Sequence, residues 1–209
     1  MLEIKTFEFG SFGTNTYVVS DRSGNVLLVD PACSNPYECR LLQNYMDTLR
    51  DAEHRQQVVI IATHGHLDHL WGAQWACKQW GGAVLIHPAD MPLAEAMQQQ
   101  YDLFGIPMRA QGFPMGNLLE AVLPEAEVYR FEVIETPGHT PGGVCLYWER
   151  EKLLLSGDTL FRMGYGRTDL PGGNTSQLTE SLERLFTLPP DTRVYPGHGE
   201  ATTIGAERR

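Results

Sequence analysis

Thr63-His64-Gly65-His66-Leu67-Asp68-His69 is the strongest signal in the sequence. It places four side chains of metal-binding types within six residues, directly after an apolar run. In extended backbone alternate side chains point the same way, so His64 and His66 can share one metal ion. As the chain turns toward a helix, Asp68 and His69 can point to a second ion. A histidine-rich surface turn is the alternative interpretation of this stretch.

Three further segments repeat the order of strand, glycine and ligand. They are Glu135-Thr136-Pro137-Gly138-His139-Thr140-Pro141-Gly142-Gly143, Leu154-Leu155-Ser156-Gly157-Asp158-Thr159 and Tyr195-Pro196-Gly197-His198-Gly199. Glycine lets backbone segments approach closely, and strand ends hold side chains rigidly. One His-Gly loop would carry little information, but four strand-end loops predict convergence on one binuclear metal site. The seven predicted ligands are His64, His66, Asp68, His69, His139, Asp158 and His198.

The hydrophobic pattern predicts alternating strands and helices in one domain. Strands are predicted over residues 4–9, 16–19, 26–30, 57–62, 84–86, 128–135, 144–148, 153–156 and 193–195. Helices are predicted after the cap residue Asn35, over residues 70–80, from Pro88 toward Gln100, and around residues 178–186. Residues 101–116 are irregular, and we interpret them either as a mobile flap over a site or as a surface loop with apolar anchors. With no repeat or linker, residues 1–209 are expected to form a single domain.

Composition and charge argue against several classes of function. The chain has 42% hydrophobic and 20% charged residues, as is typical of a globular protein. Its formal net charge of −10 makes nucleic acid an unfavourable partner. Four scattered cysteines indicate reduced thiols, and no signal peptide or apolar stretch of ~20 residues is present. We therefore expect a cytoplasmic protein with no membrane partner, while the oligomeric state stays open.

Taken together, these motifs resemble the metallo-β-lactamase fold. The fuller patterns THGHLDH, TPGHTPGG, SGDTLF, GRTDLPGG and YPGHG resemble its glyoxalase II-like branch, the hydroxyacylglutathione hydrolases. The resemblance covers nearly the whole chain. It implies an α/β (α+β) fold, a four-layer αββα sandwich of two mixed sheets flanked by helices, with the site at one edge.

The resemblance also implies how the seven side chains divide between two metal ions. His64, His66 and His139 would hold the first ion and Asp68, His69 and His198 the second, with Asp158 as the bridge. Asp68 and Asp158 are the candidate catalytic residues among them. With only nitrogen and oxygen ligands, two divalent ions are the expected cofactors, zinc first and iron or manganese as alternatives.

The expected activity is metal-dependent hydrolysis of a small-molecule thioester such as S-lactoylglutathione. Hydroxide generated at the metal pair would attack the thioester carbonyl, and thiolate would leave without a strong general acid. Arg162, Tyr165 and Arg167 follow Asp158 in a loop that the family places near the mouth of the site, so they are candidate substrate-binding residues. A salt bridge between Arg167 and Asp169 is the alternative role.

Two residues outside the motifs carry further expectations. Asp30 ends a predicted strand, and we expect it to accept a hydrogen bond from a metal-bound histidine, as the outer nitrogens of ligating imidazoles usually require. His54 lies in a polar stretch and is expected to face solvent.

Departures from related families restrict the function. The main class of β-lactamases has a residue other than histidine after H-x-H-x-D and a cysteine ligand, whereas this chain has His69 and Asp158. Full-size glyoxalase II enzymes carry a C-terminal helical region that helps hold glutathione, but this sequence ends at Arg209, which leaves the thiol carrier open.

Three rival functions remain within the same fold. The main rival is a sulfur dioxygenase with a single iron held by His64, His139 and Asp158. Such enzymes tend to have Ala and Asp beside the last histidine, where this chain has Gly197 and Gly199. A nuclease of this fold would need an added domain or arm for RNA, and the last alternative is a metal-binding domain without turnover.

Overall fold

Two β-sheets dominate the computed structural model, which describes residues 2–49 and 57–208. His54, which we expected to face solvent, lies outside the described residues. The first sheet has the order β1-β2-β3-β4-β5-β6, antiparallel up to β3 and parallel beyond it. Its strands are β1 (Glu3–Phe9), β2 (Thr14–Ser20), β3 (Val26–Val29), β4 (Val58–Ile61), β5 (Val84–Ile86) and β6 (Met115–Asn117).

The second sheet and a short hairpin come from the later part of the chain. The strands are β7 (Glu132–Glu135), β8 (Val144–Trp148), β9 (Leu153–Gly157), β10 (Leu160–Phe161), β11 (Gly164–Tyr165), β12 (Arg193–Pro196) and β13 (Thr202–Thr203). The sheet has the order β13-β12-β9-β8-β7, and only the β12–β9 pair is parallel. β10 and β11 form the hairpin.

Seven α-helices flank the sheets in the described part of the chain. They are α1 (Pro36–Thr48), α2 (Leu67–Leu70), α3 (Ala73–Trp80), α4 (Met91–Glu95), α5 (Met97–Leu103), α6 (Thr175–Leu185) and α7 (Ile204–Glu207). None of these helices has the length and apolar character that crossing a bilayer would require.

Alternation along the strands separates the core into layers. Tyr17 and Val19 of β2 pack between the two sheets, whereas Val18 packs on the opposite face against the helical layer that includes α1. Leu146 of β8 likewise faces the first sheet, while its neighbour Cys145 packs with residues of α6 and α7. Because successive strand residues face opposite ways, each sheet buries both surfaces. The fold is therefore the αββα sandwich that the resemblance implies.

Backbone hydrogen bonds join the two sheets at the edge where the four motifs lie. Val144 N donates to Thr63 O at 2.9 Å, and Asn15 N donates to Gly197 O at 2.8 Å. Gly197 N donates to Gly157 O at 2.8 Å, which links two of the motifs directly. The ends of β4, β9 and β12 and the start of β8 are thereby held at one place, and the end of β7 pairs with the start of β8.

The start of α1 confirms the predicted cap. The Asn35 carboxamide oxygen accepts hydrogen bonds from the backbone N–H groups of Tyr37 and Glu38 at 3.0 and 3.1 Å. The Glu38 carboxylate reaches back to the Ser34 N–H at 2.7 Å. These contacts satisfy donors that the first helical turn leaves unpaired.

The prediction of one continuous helix over residues 70–80 is wrong, because the structure has two helices in this region. Helix α2 begins earlier, at Leu67, and α3 begins after a break at Gly72. The Gly72 N–H donates to Pro31 O at 2.7 Å, and a Cβ at this position would collide with the Cys33 sulfur. Close contact with the segment after β3 therefore interrupts the helix.

Three other predicted elements have different bounds. The predicted strand over 128–135 begins only at Glu132, because residues 127–129 form a 3-10 turn in which the Tyr129 hydroxyl donates to backbone carbonyls of the first sheet. The helix predicted from Pro88 is divided into a 3-10 turn, α4 and α5. The irregular stretch 101–116 contains the end of α5 and the start of β6.

Candidate metal centre

All seven predicted ligands meet at the sheet edge. Their candidate ligand atoms form three overlapping groups, and the atoms within each group lie within 4.8 Å of one another. The groups are His64-His66-His139, His64-His69-Asp158 and Asp68-His69-His198. The first and third match the two sets that the resemblance implies, and the second joins them.

Asp158 lies between the two outer groups. Its Oδ1 is 3.4 Å from His69 Nε2, and its Oδ2 is 3.5 Å from both His139 Nε2 and His198 Nε2. The Asp68 Oδ2 is 3.4 Å from His198 Nε2. One carboxylate therefore contacts members of both groups, which is the geometry required of a bridging ligand.

Hydrogen bonds at the outer side of His64 orient its ring. The Thr63 hydroxyl donates its only proton to Asp30 Oδ2 at 2.8 Å, so at 3.1 Å it accepts from His64 Nδ1. The proton of the neutral imidazole then sits on Nδ1, and the lone pair of Nε2 points into the cluster. Thr63 thus selects the tautomer that can bind a cation.

The outer nitrogens of three more histidines also face acceptors. His69 Nδ1 lies 2.9 Å from Asp30 Oδ2, as we expected for Asp30. His139 Nδ1 lies 2.7 Å from Arg167 O, and His198 Nδ1 lies 3.1 Å from Phe12 O. A carbonyl oxygen can only accept, so these Nδ1 atoms carry protons and each Nε2 faces the cluster.

Burial holds two of the histidines in their neutral form. Burial, reinforced by neighbouring imidazoles, lowers the pKa of His64 well below its ordinary value. Burial and the ring of His139, 2.9 Å from His66 Nδ1, lower the pKa of His66 to about 3. Neutral imidazole is the form that binds a metal ion, so these two residues are ready to bind at neutral pH.

On the other side of the cluster, carboxylates raise the pKa of two histidines and so favour their charged form. Burial opposes the charge of His198, but Asp158 and Asp68 outweigh it and raise its pKa to about 10. Burial is likewise outweighed at His69, whose pKa is raised by Asp68, Asp30 and Asp158. At Asp68 burial alone would raise the pKa, yet His69 and the hydrogen bonds from His198 and Thr14 lower it to about 2. Both histidines therefore retain protons until a cation replaces them.

Unpaired buried atoms test whether the site suits a cation. His64 Nε2, His69 Nε2 and Asp158 Oδ1 are buried and lack a hydrogen-bond partner. A buried polar atom without a partner costs about 1–3 kcal/mol, and a bound cation would remove that cost. Five imidazoles and two carboxylates also form a donor set suited to zinc, iron or manganese. The residues present fit divalent metal ions.

Asp90 is a positioning residue that sequence reasoning missed. Its fully buried carboxylate accepts hydrogen bonds from Gly65 N at 2.8 Å, Thr140 Oγ1 at 2.7 Å and Gly142 N at 2.6 Å. It therefore ties the loop of His64 and His66 to the loop of His139. Only its place shortly after Pro88 was visible in the sequence, and no local pattern marks it as buried.

We expect Asp90→Ala to destabilise the protein by about 3 kcal/mol or more, because three buried donors lose a charged acceptor. For a chain of this size the melting temperature should fall by roughly 6–12 °C, measured by thermal unfolding. Asp191→Ala, at an exposed residue paired with Lys152, is the control and should change stability little. An Asp90→Ala melting temperature equal to that of the control would contradict this role.

The structure does not bring the side chains of Arg162, Tyr165 and Arg167 into the cluster. Arg162 pairs with Glu200, and Arg167 forms two 2.7 Å hydrogen bonds with Asp169, which is the alternative role considered for it. Tyr165 is largely exposed. Arg167 contacts the site through its backbone carbonyl, on His139. Substrate binding by these three side chains stays a prediction.

The chain is similar over nearly its whole length to several known proteins. The chain is 31% identical over 222 residues to the hydroxyacylglutathione hydrolase GloC of Haemophilus influenzae, covering 100% of this chain and 96% of GloC. The crystal structure of TTHA1623 in a di-iron-bound form has a TM-score of 0.82 and 33% identity, covering 98% of this chain and 97% of TTHA1623.

Two further solved structures share the fold but carry different names. The BLEG-1 B3 metallo-β-lactamase has a TM-score of 0.81 and 28% identity, covering 98% of this chain and 96% of BLEG-1. ETHE1 from Myxococcus xanthus has a TM-score of 0.67 and 26% identity, covering 99% of this chain and 82% of ETHE1. A family model of the metallo-β-lactamase superfamily matches residues 10–198, which include all seven clustered side chains. The chain belongs to the metallo-β-lactamase superfamily.

Proposed function

We propose that this protein is a binuclear metal-dependent hydrolase that cleaves a small acyl thioester. The observation that carries the proposal is the completeness of both ligand groups, with Asp158 in contact with each. The identity with GloC, named as a hydroxyacylglutathione hydrolase, supports the thioester as substrate class. The di-iron form of TTHA1623 supports two ions per chain.

His64, His66 and His139 would hold the first ion, and Asp68, His69 and His198 would hold the second. Asp158 would serve both. When bound, two divalent ions would lower the pKa of a shared water toward ~7 and polarise a carbonyl oxygen. The chain's own contribution is to keep the ligands in their binding forms and orientations.

Residues around the ligands keep the reacting centre rigid. The Thr14 hydroxyl donates to Asp68 Oδ2 at 2.7 Å, and because the same oxygen lies 3.4 Å from His198 Nε2, this hydrogen bond holds in place the oxygen that faces the cluster. Asp30 holds Thr63 and His69 through one buried carboxylate. A thiolate leaving group, with a solution pKa near ~8.5, needs no strong acid from the protein. The absence of a further buried acid facing the described cluster is consistent with thioester cleavage.

The rival function is persulfide oxidation at a single iron. It is supported by the likeness to ETHE1, and His64, His139 and Asp158 would hold the iron. Sulfur dioxygenases resemble this chain from His64 to His69 and also have the last histidine, so the presence of Asp68, His69 and His198 does not discriminate between the two functions. The residues beside the last histidine do, because this chain has Gly197 and Gly199 where the dioxygenases tend to have Ala and Asp, which favours the hydrolase.

Metal analysis coupled to substrate assays tests the proposal. We expect two ions per chain and hydrolysis of at least one member of a thioester panel, with S-lactoylglutathione assayed first. Oxygen consumption with glutathione persulfide, and hydrolysis of a cephalosporin, are measured on the same preparation. One iron per chain with oxygen uptake, or β-lactam cleavage without thioester cleavage, would overturn the assignment.

Metal uptake should release protons, because His69 and His198 are charged in the metal-free protein. The pKa of His198 is raised to about 10, so at pH 7 zinc must displace its proton and that of His69. We expect these two histidines to release about two protons per chain, in addition to the proton lost by water bound to the ions, and the apparent affinity to rise with pH between 7 and 10. Calorimetric titration in buffers of different ionisation enthalpy measures the number of protons released. Zinc binding without proton release would contradict these charge states.

A further inference from the structure

An apolar pocket opens beside the first ligand group. Its volume is about 220 Å³, the space of about seven water molecules, and His66 forms part of its wall. The remaining wall is mainly aliphatic and aromatic, contributed by Leu93, Leu103, Phe104, Leu170 and Pro171. The pocket lies between the end of α5 and the loop before α6, so it is built from segments that are distant in sequence.

Charged groups are missing from this pocket. The described residues of its wall include no Lys, Arg, Asp or Glu. Its buried amide, Gln100, already accepts from Leu67 N at 2.9 Å and donates to Gly65 O and Leu93 O at 3.0 and 2.8 Å. The guanidinium of Arg167, whose carbonyl contacts His139, is paired with Asp169. The one further amide of the described wall is that of Gln99, so a charged ligand group placed here would lose hydration without gaining an oppositely charged partner.

The position of Phe104 connects the pocket to the other side of the cluster. Its ring packs edge-on against Phe12, with centroids 5.8 Å apart, and the Phe12 carbonyl accepts from His198 Nδ1. The pocket wall is thus in contact with the segment that orients a proposed ligand of the second ion. A group seated in the pocket lies at the reacting centre and not at a remote surface.

We propose that this pocket binds the acyl chain of the substrate and selects short, uncharged, apolar acyl groups. The inference rests on the proposed thioesterase function. Thiol carriers such as glutathione are bulky and bear carboxylates and an ammonium group, so a 220 Å³ apolar pocket excludes them. A short aliphatic acyl group is the part of a thioester that is both small and uncharged. It seats beside His66, with its carbonyl directed to the metal centre.

The proposal predicts how rate depends on chain length. Each methylene buried in an apolar pocket contributes about 0.8 kcal/mol, which is about a fourfold gain in kcat/KM. With one thiol, N-acetylcysteamine, we expect kcat/KM to rise from acetyl through propionyl to butyryl and to fall once the chain exceeds the pocket. The succinyl thioester, which ends in a carboxylate, should react more slowly than the butyryl thioester.

Ala96→Leu tests the pocket directly, because Ala96 lies on its wall and a larger side chain there fills it. We expect the ratio of butyryl to acetyl kcat/KM to fall at least about tenfold. Ala206→Leu, an exposed alanine on α7, is the matched control and should keep the ratio of the unaltered protein. A ratio unchanged by Ala96→Leu would overturn the proposal.

A binding measurement with amides, which are not thioesters, tests the pocket independently of the proposed thioesterase activity. We expect zinc-loaded protein titrated with acetamide, butyramide and hexanamide, followed by methyl NMR, to show Kd falling by about fourfold per methylene over the lengths that fit. Ala96→Leu should abolish this dependence. Chain-length-dependent amide binding with no thioester cleavage would refute the thioesterase and keep the apolar site. Thioester cleavage with no chain-length dependence in either measurement would refute the acyl pocket and keep the thioesterase.

Discussion

Asp158→Ala is expected to reduce kcat/KM for thioester hydrolysis at least ~10³-fold and to lower the metal content below two ions per chain. The carboxylate lies 3.4–3.5 Å from three histidines that belong to both ligand groups, so its removal damages both ion sites. Among the neighbours of His198, Asp158 also raises the pKa of that histidine most. Without it His198 should lose its proton at lower pH.

The measurement combines steady-state kinetics, metal analysis and thermal unfolding. Asp191→Ala, a remote exposed carboxylate, should retain two ions and full activity. Far-ultraviolet circular dichroism must show that Asp158→Ala is folded. The loss of activity is then due to the missing carboxylate and not to unfolding. A folded Asp158→Ala protein with two ions and normal turnover would refute the proposed centre.

Gly197→Ala should impair the site through a single methyl group. A Cβ at this position would lie 2.8 Å from His69 Cε1 and still closer to Asp158 Oδ1. The backbone cannot easily yield, because Gly197 N donates to Gly157 O and Gly197 O accepts from Asn15 N, both at 2.8 Å. Asp158 or His69 must therefore move, and we expect at least ~10²-fold lower kcat/KM with weakened binding of the second ion.

The matched control for this substitution is Gly112→Ala. A Cβ at Gly112 meets nothing within 4 Å, so this variant should show normal kinetics and metal content. Zinc titration against a chelating dye measures how many ions each protein retains. Equal zinc affinity and equal kcat/KM in the Gly197→Ala and Gly112→Ala proteins would show that the contact with Asp158 and His69 is unimportant.

Much of the fold follows from local sequence patterns. The continuous apolar run at residues 57–62 predicts a strand buried on both faces, and in β4 Ile60 packs against the helical layer while Ile61 packs between the sheets. The Asn35 cap and the end of α3 at Gly81 were also predictable, because capping depends on a few neighbouring residues. Where the prediction was wrong, at Gly72 and at residues 128–131, contacts with distant segments override local preference.

The ligands of the candidate site were also predictable from local patterns, but their contacts with distant segments were not. Four loops of strand, glycine and ligand identify seven side chains and their order along the chain. They do not reveal which ring nitrogen faces the centre, since that depends on acceptors such as Phe12 O, 186 positions from His198. Asp90 escaped notice because its three donors lie on loops 25–52 residues away.

By itself, then, the sequence determined the ligand types, their spacing and the strand ends that carry them, since these depend on backbone period and on side-chain chemistry. Tertiary structure alone decided the tautomers, the hydrogen bonds of Asp90 and Asp30, the position of Asp158 between the two groups, and the apolar pocket beside His66. Each of these depends on atoms that are brought together only when the two sheets pack, so no short stretch of sequence contains the information.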